Sequence, residues 1–228
     1  MNIFQKLMEK PWEPSSNAAA MAIATGPSAS IDARKLMLHI FLVVVSMVFL
    51  LFFVTFITHS QYPGFEAMAG DPFRPFANTT HLWVNTVLLV LSSASMHMGL
   101  VKARQGSSLH ALVAMLLAAF FTIQFVLAQL WLWQSLSGMG YGLGNNPANS
   151  YFYLMTAVHA LHLLGGLAVL LRSILLTWRG AELNRIQDSL KLCGTYWHYL
   201  LGLWFVLFFL LTRSTETYRA IAIACGLG

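Results

Sequence analysis

His159 and His162 stand three residues apart, with Gly166 four further on, and they are the side chains in this sequence best suited to chemistry. Neutral imidazole is the commonest metal ligand. At about 100° per helical residue the three fall in one narrow stripe, so a single helix face carries them. One reading is a haem or metal site. The other is a helix contact, in which each imidazole hydrogen-bonds a neighbouring helix or a lipid headgroup and the glycine lets two backbones approach closely. Neighbours three apart on one helix cannot clamp a haem from its two faces, so the contact reading is the expectation.

The remaining polarity of the apolar tracts comes from His39, Asn85, Ser92, Ser93, Ser95, His97, Gln124, Gln129 and His198. Asn85 and Gln129 read as hydrogen-bond partners between helices rather than as ligands. Ser92, Ser95 and Gly99 form a stripe of small residues, and Ala157, Ala160 and Gly165 supply others. Small faces pack helices, and nothing ionisable marks a substrate route along them. No nucleophile, paired carboxylates, phosphate loop or metal shell is assembled. Catalytic, cofactor-binding and metal sites are therefore expected to be absent from this chain.

The elements that position these residues are legible in the distribution of charge. Of 228 residues, 57% are hydrophobic and 9% charged, against about 25% charged in a soluble domain. Residues 36–65, 75–101, 105–171 and 192–212 contain no Asp, Glu, Lys or Arg. A bilayer core about 30 Å thick needs roughly 20 apolar residues per helix. The tracts supply five spans, about 36–58, 80–101, 109–133, 151–171 and 195–212. The longest tract is divided by the Ser, Gly, Asn and Pro-rich stretch Gln134 to Asn149, which reads as an aqueous loop. The expected fold is all-α, an integral membrane bundle of five transmembrane helices over 36–213, with a tail at 1–35 and a short outer tail at 214–228.

An odd number of spans puts the termini on opposite faces. One face receives Lys6, Lys10, Arg34, Lys35, Lys102, Arg104, Arg172, Arg179, Arg185 and Lys191; the other receives Arg74, Arg213 and Arg219. Basic residues in short loops stay cytoplasmic, which places the N-terminus in the cytoplasm and the C-terminus outside, in the periplasm. The net charge of +5 is then topogenic, and nucleic acid is excluded as a partner because no soluble basic surface exists to carry it. Residues 1–35 lack the basic start and apolar core of a cleaved signal; Ile3, Phe4, Leu7 and Met8 make at most one amphipathic turn in a cytoplasmic tail. Trp12, Trp83, Trp131, Trp133, Trp178 and Trp197 lie near span ends or in flanking sequence, as an interfacial belt requires. Cys193 and Cys225 fall at opposite faces and cannot form a disulfide. No Asp, Glu, Lys or Arg sits within a span, which argues against a self-contained pump or ion transporter, and no inverted repeat points to a solute carrier.

Four segments together resemble subunit III of the haem-copper respiratory oxidases. Phe152-Tyr153 followed by His159-Ala160-Leu161-His162 and Gly166 resembles the family's aromatic, His-Gly-Leu-His and glycine helix. Tyr196-Trp197-His198-Tyr199 with Trp204 resembles its Tyr-Trp-His-Phe and later Trp. Asn85-Thr86, Leu88-Leu89 and Ser92-Ser93 resemble its Leu-Asn-Thr, leucine-rich, Ser-Ser helix, and Gln129 matches a glutamine in the next. Order and spacing agree across about 80–212. Three carboxylate positions of the family are apolar here: Met47 after Ser46, Leu132 after Gln129, and Leu201 after the Trp-His segment. The count of spans is similar to the family's five-helix form, which lacks the first two helices of the common form, so that the lipid cleft between those two helices and the rest is formed with a partner or lost.

The resemblance implies a non-catalytic subunit in the bacterial inner membrane, packed beside oxidase subunits I and II. It implies that haem and copper reside in the partner catalytic subunit, which reduces O2 to water and translocates protons, and that phospholipid is bound. His159, His162, Gly166, Trp197, His198, Asn85 and Gln129 are then the residues expected to support helix, subunit or lipid contacts. The five-helix form also accompanies quinol oxidases and a nitric oxide reductase accessory subunit, and these alternatives stay open at this point. A different class, a free-standing membrane cytochrome with histidine-ligated haem, would show a haem spectrum in the chain expressed alone.

Overall fold

In lipid, every backbone N–H and C=O must find its partner within the chain, and a helix does so within a single segment. A computed structural model of the chain follows that rule. It describes residues 27–69, 79–144, 146–180 and 182–226, with side chains from 33 onward. Among the described residues there are six helices and no strand: α1 Pro27–His59, α2 Thr80–Arg104, α3 Ser108–Gly138, α4 Pro147–Trp178, α5 Leu183–Leu211 and α6 Thr215–Ala224. Five are long and apolar enough to cross a membrane: Ala33–His59 within α1, and α2 to α5 entire. The protein is a multi-pass membrane protein. Two compact units divide the chain at residues 41 and 42, and α1 runs through that division. The amphipathic turn at Ile3 to Met8 and the interfacial Trp12 lie outside the described residues.

Local chemistry sets the turns. Residues 105–107 join α2 to α3. Gly106 there takes φ +81°, a left-handed conformation that only glycine adopts without strain. Its N–H reaches the Ala103 carbonyl at 3.1 Å, and the Ser107 N–H reaches that of Lys102 at 3.1 Å, so the carbonyls at the end of α2 are satisfied. α4 starts on a capping signal in which the Asn146 side chain accepts from the Ala148 N–H at 3.1 Å and Pro147 opens the helix. The same asparagine donates from Nδ2 to the Glu66 carbonyl at 2.6 Å, fastening the segment after α1.

Helices α2 to α5 form a closed quartet in which α2 adjoins α3 and α5, and α4 adjoins α3 and α5. The closest seam is between α2 and α3. There Ser92, Ser95, Met96 and Gly99 are buried against Ala111, Ala114, Met115 and Ala118. A Cβ on Gly99 would stand 3.4 Å from that of Ala114 and 3.6 Å from the Ala111 carbonyl, so small residues set this approach. From Leu42 onward, α1 reaches α4 and α5 through long side chains: Phe49 meets His162 at 5.9 Å between ring centroids, and Phe56 meets Tyr151 at 5.5 Å.

Two boundaries differ from hydropathy. The expected loop Gln134 to Asn149 contracts to 139–146, because α3 continues through Gly138 and α4 begins at Pro147. Polar side chains at a membrane surface do not prevent the helix from continuing while water is near. The C-terminal tail carries α6, anchored by Tyr218, which is buried against Phe56 at 5.1 Å and Phe65 at 6.1 Å and donates to the Leu210 carbonyl at 2.7 Å. Burial pushes the Tyr218 phenol well above its ordinary value.

Candidate functional site

The polar side chains buried in the quartet pair across it at successive levels. Trp197 of α5 donates its indole N–H to Ser92 Oγ of α2 at 2.8 Å, with Thr122 Oγ1 of α3 at 3.4 Å. The Ser92 and Thr122 hydroxyls meet at 2.8 Å and share the Ala118 carbonyl, each at 2.9 Å. Two turns further along α5, Trp204 donates to Thr86 Oγ1 of α2 at 2.9 Å. Beside it, Asn85 Nδ2 donates to Gln129 Oε1 at 2.8 Å, joining α2 to α3. At one end Trp133 Nε1 of α3 donates to Thr156 Oγ1 of α4 at 3.2 Å. At the other the hydroxyls of Ser173 and Ser189 join α4 to α5 at 2.6 Å. Every seam of the quartet thus carries a side-chain hydrogen bond, in an apolar setting where a lost partner is not replaced by water.

Glycine completes the α4–α5 seam. A Cβ on Gly166 would lie 2.6 Å from Tyr196 Cε1 and 3.1 Å from Trp197 Cζ3. Those rings therefore lie against bare backbone, and the Tyr196 hydroxyl donates to the His162 carbonyl at 2.9 Å. The neighbouring Gly165 faces open space, where a Cβ would meet nothing within 4 Å.

The histidines diverge. His159 is fully buried, its ring 6.0 Å from Phe125 and 5.4 Å from Trp204, and neither ring nitrogen has a hydrogen-bond partner. That departs from the expectation that each imidazole bonds a neighbour: the rings of Phe125 and Trp204 pack against His159, and neither offers its nitrogens an acceptor. His162 turns toward α1, with Nδ1 at 2.7 Å from the Val158 carbonyl of its own helix. His198 lies on the outside of α5, its Nδ1 on Ser93 Oγ. Among the described residues, no three of His, Cys, Asp and Glu gather so as to hold a metal ion. The aromatic packing around His159 and the outward turn of His162 do not fit a haem clamp either.

Trp197 corrects the interfacial reading. It is 2% exposed and sits midway along the 29-residue α5, whereas Trp83, Trp131 and Trp178 are exposed. Hydropathy starts the span at about 195, but hydrogen-bonded helix extends back to Leu183 and carries Trp197 into the interior. Thr86, which the sequence marks only as part of the Asn85-Thr86 motif, accepts from Trp204, and Thr122, which no motif marks, stands beside Ser92 at the Trp197 indole. The available signal was their position on the buried faces of α2 and α3. Of the three apolar replacements, Met47 is 58% exposed, Leu201 is half-buried and Leu132 is buried. Next to Met47, Ser46 Oγ meets Tyr199 OH at 2.8 Å, a neutral hydrogen bond between α1 and α5.

A family model described as cytochrome c oxidase subunit III matches residues 20–213. The cytochrome c oxidase subunit 3 of Thermostichus vulcanus is 28% identical over 190 residues, covering 81% of this chain and 89% of the relative. That of Synechocystis sp. is 27% identical over 183 residues, covering 78% and 75%. A probable cytochrome c oxidase subunit 3 of Mycobacterium bovis is 25% identical over 150 residues, covering 64% and 74%.

Proposed function

The chain belongs to the cytochrome c oxidase subunit III family, and from that premise we propose where it sits in its complex and what its buried residues do there. It is a non-catalytic subunit III of a haem-copper oxidase and assembles with other oxidase subunits. The partners in this reading are subunit I, which holds the haems and copper, reduces O2 to water and translocates protons, and subunit II. The complex lies in a bacterial cytoplasmic membrane with phospholipid at its surface. The division of ten basic residues against three supports a cytoplasmic N-terminus and a periplasmic C-terminus.

One observation carries the proposal: side-chain hydrogen bonds join every seam of the quartet, and Asp, Glu, Lys and Arg take no part in them. Such an interior holds helices at fixed spacing without a carboxylate, lysine or arginine among its hydrogen bonds. Asn85, Gln129 and Trp197 brace the quartet and Gly166 sets the α4–α5 approach. His159 fills the aromatic centre, His162 supports α1, and His198 stands at the outer surface. The chain buries one flank of subunit I and orders the lipid around it.

His162→Leu in the purified complex tests this. Lower retention of the chain, less bound lipid and faster loss of turnover are expected, with the haem spectrum unchanged. Full subunit stoichiometry, lipid content and turnover stability would overturn the assignment of His162. A haem spectrum from the chain expressed alone would overturn the non-catalytic reading.

A further inference from the structure

Polar side chains inside a span face a bundle interior or a protein neighbour, because lipid tails offer no hydrogen bond. Among the exposed polar side chains of the spans, which include Gln124 of α3, two histidines stand side by side. His97 of α2 and His198 of α5 are both exposed, on adjoining helices, with ring centroids 6.1 Å apart and planes 38° apart. At about 1.5 Å per residue, His97 lies about 8 Å from Lys102 along α2, and His198 about 10 Å from Lys191 along α5. Both rings are therefore below the charged surface. The outward side of α3 is apolar at Val113, Leu116, Leu117 and Phe120 and carries the exposed Gln124 one turn beyond Phe120.

Small residues adjoin the pair. Ala94 is one turn from His97 and Gly202 one turn from His198, both exposed and both displaced away from the Lys102 and Lys191 end. A Cβ on Gly202 would meet nothing within 4 Å. The surface between α2 and α5 thus has a notch where a helix can come close, next to two imidazoles. Ser93 engages Nδ1 of His198; the Nε2 of that ring and the nitrogens of His97 belong to exposed side chains. An acyl chain would leave those nitrogens unsatisfied, and a headgroup would have to be drawn several ångströms below its plane.

We infer that the α2–α5 notch at His97 and His198 receives a transmembrane helix of another oxidase subunit, one that presents a hydroxyl or carboxamide side chain to the two imidazoles. This rests on the reading of the chain as an assembled subunit and adds which flank does the assembling.

The test uses the whole complex in its native membrane. A photoreactive benzophenone amino acid at Ala94 is expected to form an adduct with a transmembrane peptide of another oxidase subunit, identified by mass spectrometry. The same group at Val113, on the apolar outward side of α3, is expected to label lipid. Gly202→Trp adds bulk only to open space, so the chain keeps its fold while the co-purified partner falls about tenfold; His97→Leu with His198→Leu does the same, at the scale of two lost interhelical hydrogen bonds. Adducts of Ala94 with lipid alone, or undiminished partner with Gly202→Trp, would overturn the docking assignment while leaving the subunit reading intact. If no oxidase subunit accompanies the unsubstituted chain, the subunit reading itself fails and the docking site with it.

Discussion

The quartet and the first helix are held by different means. α2 to α5 meet along seams of small residues, with two indoles donating into hydroxyls and a carboxamide pair between α2 and α3. From Leu42 onward α1 buries Val45, Phe49, Phe56 and Ile57, leaves most other side chains outward, and meets its neighbours through aromatic rings, tilted at Phe49 and edge to face at Phe56. Its polar ties are few: Ser46 to Tyr199 at 2.8 Å, Tyr199 to the Leu42 carbonyl at 3.3 Å, and His59 Nδ1 to Tyr151 OH at 3.0 Å. Hydrogen bonds fix angle and distance, whereas aromatic edges tolerate sliding. The quartet is therefore expected to resist displacement more than α1.

Substitutions can break or sharpen that contrast, and the greatest effect belongs at the α4–α5 seam. Gly166→Leu drives a side chain into Tyr196 and Trp197, and overpacking of this kind costs about 3 kcal/mol. A clear fall in thermal midpoint is expected for the purified complex, while Gly165→Leu, entering open space, leaves it unchanged; equal effects from the two would end the argument. Trp197→Phe or Trp204→Phe keeps an aromatic core but removes a donor, for an expected loss of about 1–2 kcal/mol each. Pairing Trp197→Phe with Ser92→Ala in a double-mutant cycle reads the coupling directly.

Tyr218→Phe loses the bond to the Leu210 carbonyl, about 1 kcal/mol, and its pH dependence has a definite sign. The folded phenol is held above its ordinary value by burial, so its contribution is complete below about pH 10 and is lost as the pH rises further. Melting curves of Tyr218→Phe and the parent protein should converge above that pH. Ser46→Ala closes the series, at about 0.5 kcal/mol or less, because α1 keeps its aromatic contacts. A larger loss from Ser46→Ala than from Trp197→Phe would reverse the expected order of the quartet and α1.

The five spans were legible because charge is excluded from lipid whatever the packing, so the uncharged tracts trace them directly. The stripe of Ser92, Ser95 and Gly99 was legible for a similar reason, since helical spacing alone puts the three on one face. Trp197 was not, because its depth depends on where the helix starts, and α5 starts among Arg185, Asp188 and Lys191. Nor was the lack of partners at His159 legible: periodicity places the residue on an inward face but says nothing of Phe125 and Trp204 from other helices. α6 escaped notice because a short helix of mixed polarity leaves no hydropathy signal, and its anchor lies in aromatic rings distant in sequence.

The glycine turn between α2 and α3 bears on how the chain enters the bilayer. α2 presents Asn85, Thr86, Ser92, Ser93 and Ser95 along its buried side, an inventory poorly suited to lipid on its own. Three residues of turn mean that α3 follows almost at once during synthesis, bringing Thr122 and Gln129 to those groups. The two helices are best delivered as a hairpin, already paired when they leave the insertion machinery. Lengthening the turn at Gly106 would then delay membrane integration of α2 before any change registered in the finished fold.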